Sequence, residues 1–324
     1  MKVFITGGTG FVGTHLIQRL AQDGHELCCL VRKTSDVRFL KKVGATLITG
    51  DVTDKASMLE GMKGCDWVAN LANIYDFWVP DRRIYTDVNV HGTRNVMECV
   101  LEAGVSKVVH VSSCVIYGTP ADCPFTEESP VGPVRFSEYA QSKYDGELIA
   151  WQLCERKGLP LIVIHPAAVL GPRDHKATGR YIQNQISRRV PARVFTDTVF
   201  TWVHVRDVAE IIVRALEKEG NVGEKYLAGK QQLSYQEFSE MIGDISGVPI
   251  PRLRLPDALV RFCAALLTWL AKLTKKPPML GMSVDQIKMM GAGIRFDGSK
   301  AERELGITYT PIRTALEEAI ASYE

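Results

Sequence analysis

Tyr139 and Lys143 stand four residues apart near the start of a predicted helix, so their side chains share one face. An unperturbed tyrosine has a pKa of about 10, too high for efficient proton shuttling near neutrality. A neighbouring ammonium would stabilise the phenolate and lower that value. The pair could then give a proton to a carbonyl being reduced, or take one from an alcohol being oxidised. Tyr-x-x-x-Lys is common on ordinary helices, so the spacing needs support from the rest of the chain. One source is a predicted strand ending in His110-Val111-Ser112-Ser113, which sets hydroxyls where one can polarise a reacting oxygen. Another is Asn89, inside a long predicted helix over Ile84–Ala103. It could hold a water that relays protons from Lys143, or simply satisfy local backbone.

Chemistry of this kind needs a hydride carrier, and the N-terminus has the loop for one. Thr6-Gly7-Gly8-Thr9-Gly10-Phe11-Val12-Gly13 follows an apolar run, Val3 to Ile5, and opens a helical pattern over Phe11–Gln22. Gly7 suits the tight turn, Gly10 lets backbone approach a pyrophosphate, and Gly13 allows close helix–sheet packing. The N–H groups at the helix start then face the anion. A glycine triplet alone is weak, but strand–turn–helix context confirms it. NAD sites place an acid about 20 residues on, for the ribose 2′-hydroxyl. Here Leu30-Val31-Arg32-Lys33 occupies that place. An arginine fork would grip a 2′-phosphate that an acid would repel, so NADP(H) is preferred and NAD(H) is the alternative. Asp51 could accept from the adenine amino group or cap a helix before Lys55.

The elements that must position these groups alternate. Short apolar runs at Glu26–Val31, Ala45–Ile48, Trp67–Leu71, Lys107–Val111 and Leu161–His165 read as strands, and Ser137–Lys157 as a helix. Such alternation predicts a Rossmann-type α/β fold, a doubly wound parallel sheet covered on both faces. The division expected is a cofactor domain over 1–170, with strands returning to it from 195–230. A smaller, interleaved substrate-binding lobe would fill most of 171–324. The 37 acidic and 39 basic residues leave a net charge of +2, so no field favours nucleic acid. The eight cysteines include no Cys-x-x-Cys pair and no zinc spacing, which fits reduced thiols in a cytoplasmic protein. The first residues already read as a strand, so no signal peptide is expected. Leu259–Leu273 is the most apolar stretch, but Arg261 and Lys272 interrupt it. It reads as a buried or amphipathic helix rather than a bilayer span, leaving room for peripheral membrane contact.

With these residues in place, the sequence resembles the extended short-chain dehydrogenase/reductase family over nearly its whole length. The glycine loop resembles that family's cofactor loop. Asn89-Val90-His91-Gly92-Thr93-Arg94-Asn95, Ser112-Ser113 with Ile116-Tyr117-Gly118, the Tyr139/Lys143 pair, His165-Pro166 through Gly171-Pro172, and Trp202 to Val208 resemble its later motifs. The resemblance implies Ser113, rather than Ser112, as the catalytic serine, Tyr139 as acid/base, and Lys143 as its modifier and a ligand of the nicotinamide ribose. It also implies cofactor contacts from Val52, Leu71, Ala72, Asn73, Pro166 and Val169. Asn70 and Asn73 depart from the family's usual His and Ala, so Asn73 could reach nicotinamide or substrate. Arg32-Lys33, Tyr75-Asp76-Phe77-Trp78 and Pro166 to Leu170 are most similar to the dihydroflavonol-reductase-like branch, which reduces ketones or aldehydes with NADPH. A homodimer through the 84–103 and 137–157 helices is expected by analogy.

Substrate contacts are expected from Tyr75, Phe77, Trp78, Cys114, Val115, Leu170, Tyr181 and Phe195, with about half of these serving as core instead. The set suits a hydrophobic carbonyl or alcohol, such as a dihydroflavonol-like or steroid-like compound. Two other readings stay open: a nucleotide-sugar epimerase or dehydratase that recycles tightly held NAD, and a non-catalytic NADP-binding sensor.

Overall fold

The computed structural model describes residues 1–323. In chain order its elements are β1 (Lys2–Thr6), α1 (Phe11–Gln22), β2 (Glu26–Val31), α2 (Arg38–Lys42), β3 (Thr46–Thr49), α3 (Lys55–Met62) and β4 (Trp67–Asn70). Then come α4 (Thr93–Ala103), β5 (Lys107–Val111), α5 (Glu138–Lys157), β6 (Leu161–Pro166), β7 (Ala168–Leu170) and α6 (Ala177–Ile186). The remainder is β8 (Val199–His204), α7 (Val205–Glu217), β9 (Lys225–Ala228), β10 (Gln231–Ser234), α8 (Tyr235–Ser246), α9 (Asp257–Thr274), α10 (Val284–Ala292), α11 (Ser299–Leu305) and α12 (Ile312–Ala321).

Seven strands form one parallel sheet in the order β3-β2-β1-β4-β5-β6-β9. Strands covered on both faces must be apolar throughout, and Val3, Phe4 and Ile5 are fully buried accordingly. Odd and even residues of β1 face opposite cores: Val3 and Ile5 pack with α1 and α7, and Phe4 with α3 and α4. The order reverses direction at β1 and β4. The crevice between their C-terminal ends is therefore the switch point where such sheets take ligands. A smaller sheet, β10-β8-β7, lies beyond the C-terminal edge, with β8 antiparallel to β10 and parallel to β7.

The long helix expected over Ile84–Ala103 is not one regular helix. Tyr85–Gly92 winds as a π-helix, and α-helical winding begins only at Thr93. π turns are rare and gather at functional sites. This one carries Asn89, and α5 lies so close to it that a Cβ on Gly146 would sit 2.3 Å from the Asn89 carbonyl oxygen.

Candidate active site

The glycine loop is shaped at two positions by backbone demands. Gly7 has φ +70°, and a Cβ there would lie 2.7 Å from the Ala72 nitrogen, so the β1 turn presses against the segment after β4. A Cβ on Gly13 would lie 2.3 Å from the Gly7 carbonyl oxygen. Gly10 starts α1 without a side-chain cap, which leaves the first N–H groups of the helix for an anion. Thr9 is exposed, and Phe11 and Val12 are half-buried beside it. Gly13→Val is accordingly expected to abolish dinucleotide binding, which titration of protein fluorescence with NADPH would read. Retained affinity would mean the loop does not hold the pyrophosphate.

At the end of β2, Arg32 and Lys33 are exposed. Neither side chain makes an ion pair among the described residues, and the next acid, Asp36, is already bound by Arg38. Asp51 follows β3. Its Oδ1 accepts from the Thr53 N–H and hydroxyl, and the helix cap of α3 is Asp54, not Asp51. Val52 is buried against Gly92. Past β4, Asn73 Nδ2 donates to the Leu71 carbonyl, while its Oδ1 is buried with no partner. A buried acceptor left unmatched costs about 1–3 kcal/mol, so it marks a place for a donor from a ligand.

Tyr139, Lys143 and Ser113 come together at the ends of β5 and α5. Ser137 caps α5 by accepting from the Ala140 N–H, which sets the first turn where Tyr139 stands. Ser113 is half-buried at the mouth, whereas Ser112 is buried behind it, so Ser113 is the accessible hydroxyl. The electrostatics differ from the expected picture. The Lys143 ammonium donates to the Val111 carbonyl at 2.9 Å. Burial pushes Tyr139 above the usual phenol range, and the Ser113 hydroxyl opposes this only in part. Desolvation wins here, and Tyr139 is held as a neutral proton donor. Burial likewise lowers Lys143 to about 8, against an opposing pull from Glu147.

Of the two tasks expected of Asn89, its bonds are those of satisfying backbone. Its Oδ1 accepts from the Ile74 N–H at 2.8 Å, and its Nδ2 donates to the Ile74 carbonyl at 3.3 Å and to Ser142 Oγ at 2.9 Å. Both amide hydrogens are thus taken by protein acceptors, and the oxygen holds the Ile74 N–H. The carboxamide ties the segment after β4 to α5 between Tyr139 and Lys143.

Two aromatic rings cover the phenol. Tyr75 and Phe77 stand edge-on to Tyr139, with ring centroids 5.2 and 5.8 Å away. Trp78 is half-buried on the same segment. Cys114 and Val115 form the buried turn that Ser113 caps. Pro166 ends β6, and Val169 is half-buried in β7.

The pattern of the NAD dependent epimerase/dehydratase family matches residues 3–229. The chain belongs to that family. Within it, the chain is 31% identical over 325 aligned positions to a putative dihydroflavonol 4-reductase of Synechocystis, covering 98% of this chain and 93% of the relative. It is 30% identical to sterol demethylase protein B of Methylococcus capsulatus, covering 99% and 98%. Among solved structures it is similar to gox2253, with 35% identity, a TM-score of 0.86, and coverage of 99% and 97%.

One of the expected substrate positions lies elsewhere in this epimerase/dehydratase-family chain. Phe195 sits in a separate small core with Val260, Ala264 and Ile287, under the Arg261 guanidinium. Leu170 is fully buried. Tyr181 bonds the Ser239 hydroxyl through its Oη and packs beside Phe238. Leu170 and Tyr181 belong to the same core as Tyr139, Tyr75 and Phe77, and sequence periodicity could not show that Phe195 faces a different one. It also passed over a buried pair behind Lys143. Glu147 Oε2 lies 2.9 Å from His165 Nε2, and its Oε1 accepts from Trp151 Nε1. The signal was present as an i, i+4 series on α5: Tyr139, Lys143, Glu147 and Trp151.

Proposed function

We propose that the chain is a cytoplasmic NADPH-dependent reductase of hydrophobic ketones or aldehydes, working reversibly as an alcohol dehydrogenase and as a homodimer. The observation that carries this reading is the neutral, desolvated Tyr139 phenol, lying beside Ser113 and beneath Tyr75 and Phe77. The eight free cysteines fit the compartment, and the names of the relatives, a putative dihydroflavonol 4-reductase and a sterol demethylase protein, fit an apolar carbonyl substrate.

The residues present fit a dinucleotide. The open α1 terminus with Gly10 suits the pyrophosphate. Asp51 and Val52 would hold the adenine end, and Arg32 and Lys33 its ribose. Leu71, Ala72, the orphaned Asn73 Oδ1, Pro166 and Val169 would hold the nicotinamide end. When bound, a reduced nicotinamide supplies a hydride to the carbonyl carbon. Ser113 Oγ donates to the carbonyl oxygen and holds it. Tyr139 Oη gives that oxygen its proton, and the charged Lys143 on the same helix face stabilises the phenolate left behind. Tyr139 retains only 4% exposure, so a carbonyl reaches it only when Tyr75 or Phe77 turns aside.

The test is NADPH oxidation against a panel of aldehydes and ketones, with NADH as control. Stoichiometric consumption of NADPH supports a reductase; conversion without net cofactor change would make the chain an epimerase. Arg32→Ala is expected to raise the KM for NADPH roughly 10–100-fold, the loss of a charge-assisted contact of about 1.5–3 kcal/mol, with little effect on NADH. An unchanged NADPH/NADH ratio would remove the basis for the cofactor preference.

A further inference from the structure

Helix α9 presents two stripes of opposite fate. Val260, Ala264 and Ala271 face the protein and are buried. Leu259, Phe262, Leu266, Trp269, Leu270 and Leu273 recur at helical spacing on the other side and are exposed. Phe262 is 67% exposed, Trp269 57% and Leu273 63%, and Met279 and Leu280 continue the apolar surface just beyond the helix. Scattered exposed leucines need no explanation, but a continuous stripe with two large aromatic rings does.

The charges around the stripe say what covers it. Helix α9 and the turn after it carry Arg261, Lys272, Lys275 and Lys276, and after Asp257 in the first turn of the helix no Asp or Glu comes before Asp285. Asp285, the next acid, is already occupied by Arg82 and by the Glu138 N–H. Arg261 turns its guanidinium onto Phe195, so the cations that flank the stripe are Lys272, Lys275 and Lys276 at its C-terminal end. An apolar face with three cations at that end complements a surface that is anionic at its rim and apolar beneath, which is the interface of an acidic bilayer. No helix among the described residues is long and apolar enough to cross a membrane, so the fit is to lying on one. A short chain of bonds also joins α9 to the catalytic mouth. The Val284 N–H donates to Thr268 Oγ1 on α9, and Ser283 Oγ donates to the carbonyl of Phe77, one of the two rings over Tyr139, both at 2.9 Å.

We propose that the outer face of α9, with Met279 and Leu280, docks on the anionic surface of a lipid bilayer and sets the mouth of the Tyr139 site at the lipid boundary. The docking stands on the surface alone. Its use, to admit an apolar carbonyl compound directly from lipid, rests on the reductase reading.

Co-sedimentation of the full chain with phosphatidylcholine vesicles, with and without phosphatidylglycerol, tests it. Binding is expected to the phosphatidylglycerol vesicles and to be at least about 10-fold weaker without the acidic lipid. Phe262→Ser with Trp269→Ser should abolish it, and because both rings are exposed, turnover of a water-soluble aldehyde should not change. Lys272→Gln, Lys275→Gln and Lys276→Gln together should weaken it on the order of 10²-fold, at about 1 kcal/mol per cation. Absence of vesicle binding, or binding untouched by both sets of substitutions, overturns the proposal. So does a dimer in solution that the Phe262/Trp269 variant dissociates without any vesicle binding, which would assign the face to a second copy. If the unaltered chain binds vesicles but reduces no carbonyl compound, docking stands and the reductase reading falls.

Discussion

Tyr139→Phe is expected to lower NADPH-dependent carbonyl reduction by about 10²–10⁴-fold, the usual contribution of a positioned general acid. The ring should keep its packing against Tyr75 and Phe77, so only the hydroxyl is lost. NADPH affinity should stay close to that of the unaltered chain, which separates lost chemistry from lost folding. Turnover unchanged in this variant would sink the proposed mechanism. The pH profile adds a second check. Burial holds Tyr139 neutral across the ordinary range, so the group that titrates is Lys143, lowered to about 8. Reduction should therefore fall as pH rises through about 8, because the phenolate then loses the charge that stabilises it.

Glu147→Gln should be the most damaging change outside the reacting groups. The carboxylate is 4% exposed and faces His165, which is fully buried. Burial by itself would raise the Glu147 carboxyl; the His165 ring, with smaller help from Ser112 and Trp151, outweighs it and holds the group at about 2. Breaking such a pair from one side costs about 3–5 kcal/mol, to be read as a lower urea midpoint at neutral pH. Because the folded carboxyl lies below its ordinary value of 4.5, its stabilisation is present above that value. It is lost as pH falls from there toward about 2. A merely structural role would stop at stability. Glu147 also raises Lys143, so its loss should move the falling limb of the activity profile to lower pH. A limb that stays near pH 8 in Glu147→Gln would confine the residue to folding.

The parts of this protein that were readable in advance are those set by local rules. Strand β2 and helix α1 were placed by apolar periodicity, and the roles of Gly7 and Gly13 by what a Cβ would strike. The choice between the two tasks of Asn89, and the place of Phe195, were not legible because their partners lie far along the chain or in another core. An amide at a given position looks the same whether it meets water or the Ile74 peptide, and a buried ring looks the same in either core. The dominance of burial at Tyr139 was hidden for a related reason. Spacing shows that two groups share a face, but not that the Val111 carbonyl takes the ammonium, nor how dry the phenol is.

The aromatic cover over Tyr139 is fastened at three successive points of main chain. Asn89 grips both polar groups of the Ile74 peptide, the Tyr85 hydroxyl donates to the Asp76 carbonyl, and Ser283 donates to that of Phe77. A segment pinned in this way has given up its backbone freedom during folding, before any ligand arrives. Entry then needs only rotation of a ring about its own side-chain bonds, a motion far quicker than the excursion of a loop. An apolar guest closing this doorway loses its own freedom and little of the host's, so affinity can come from few contacts.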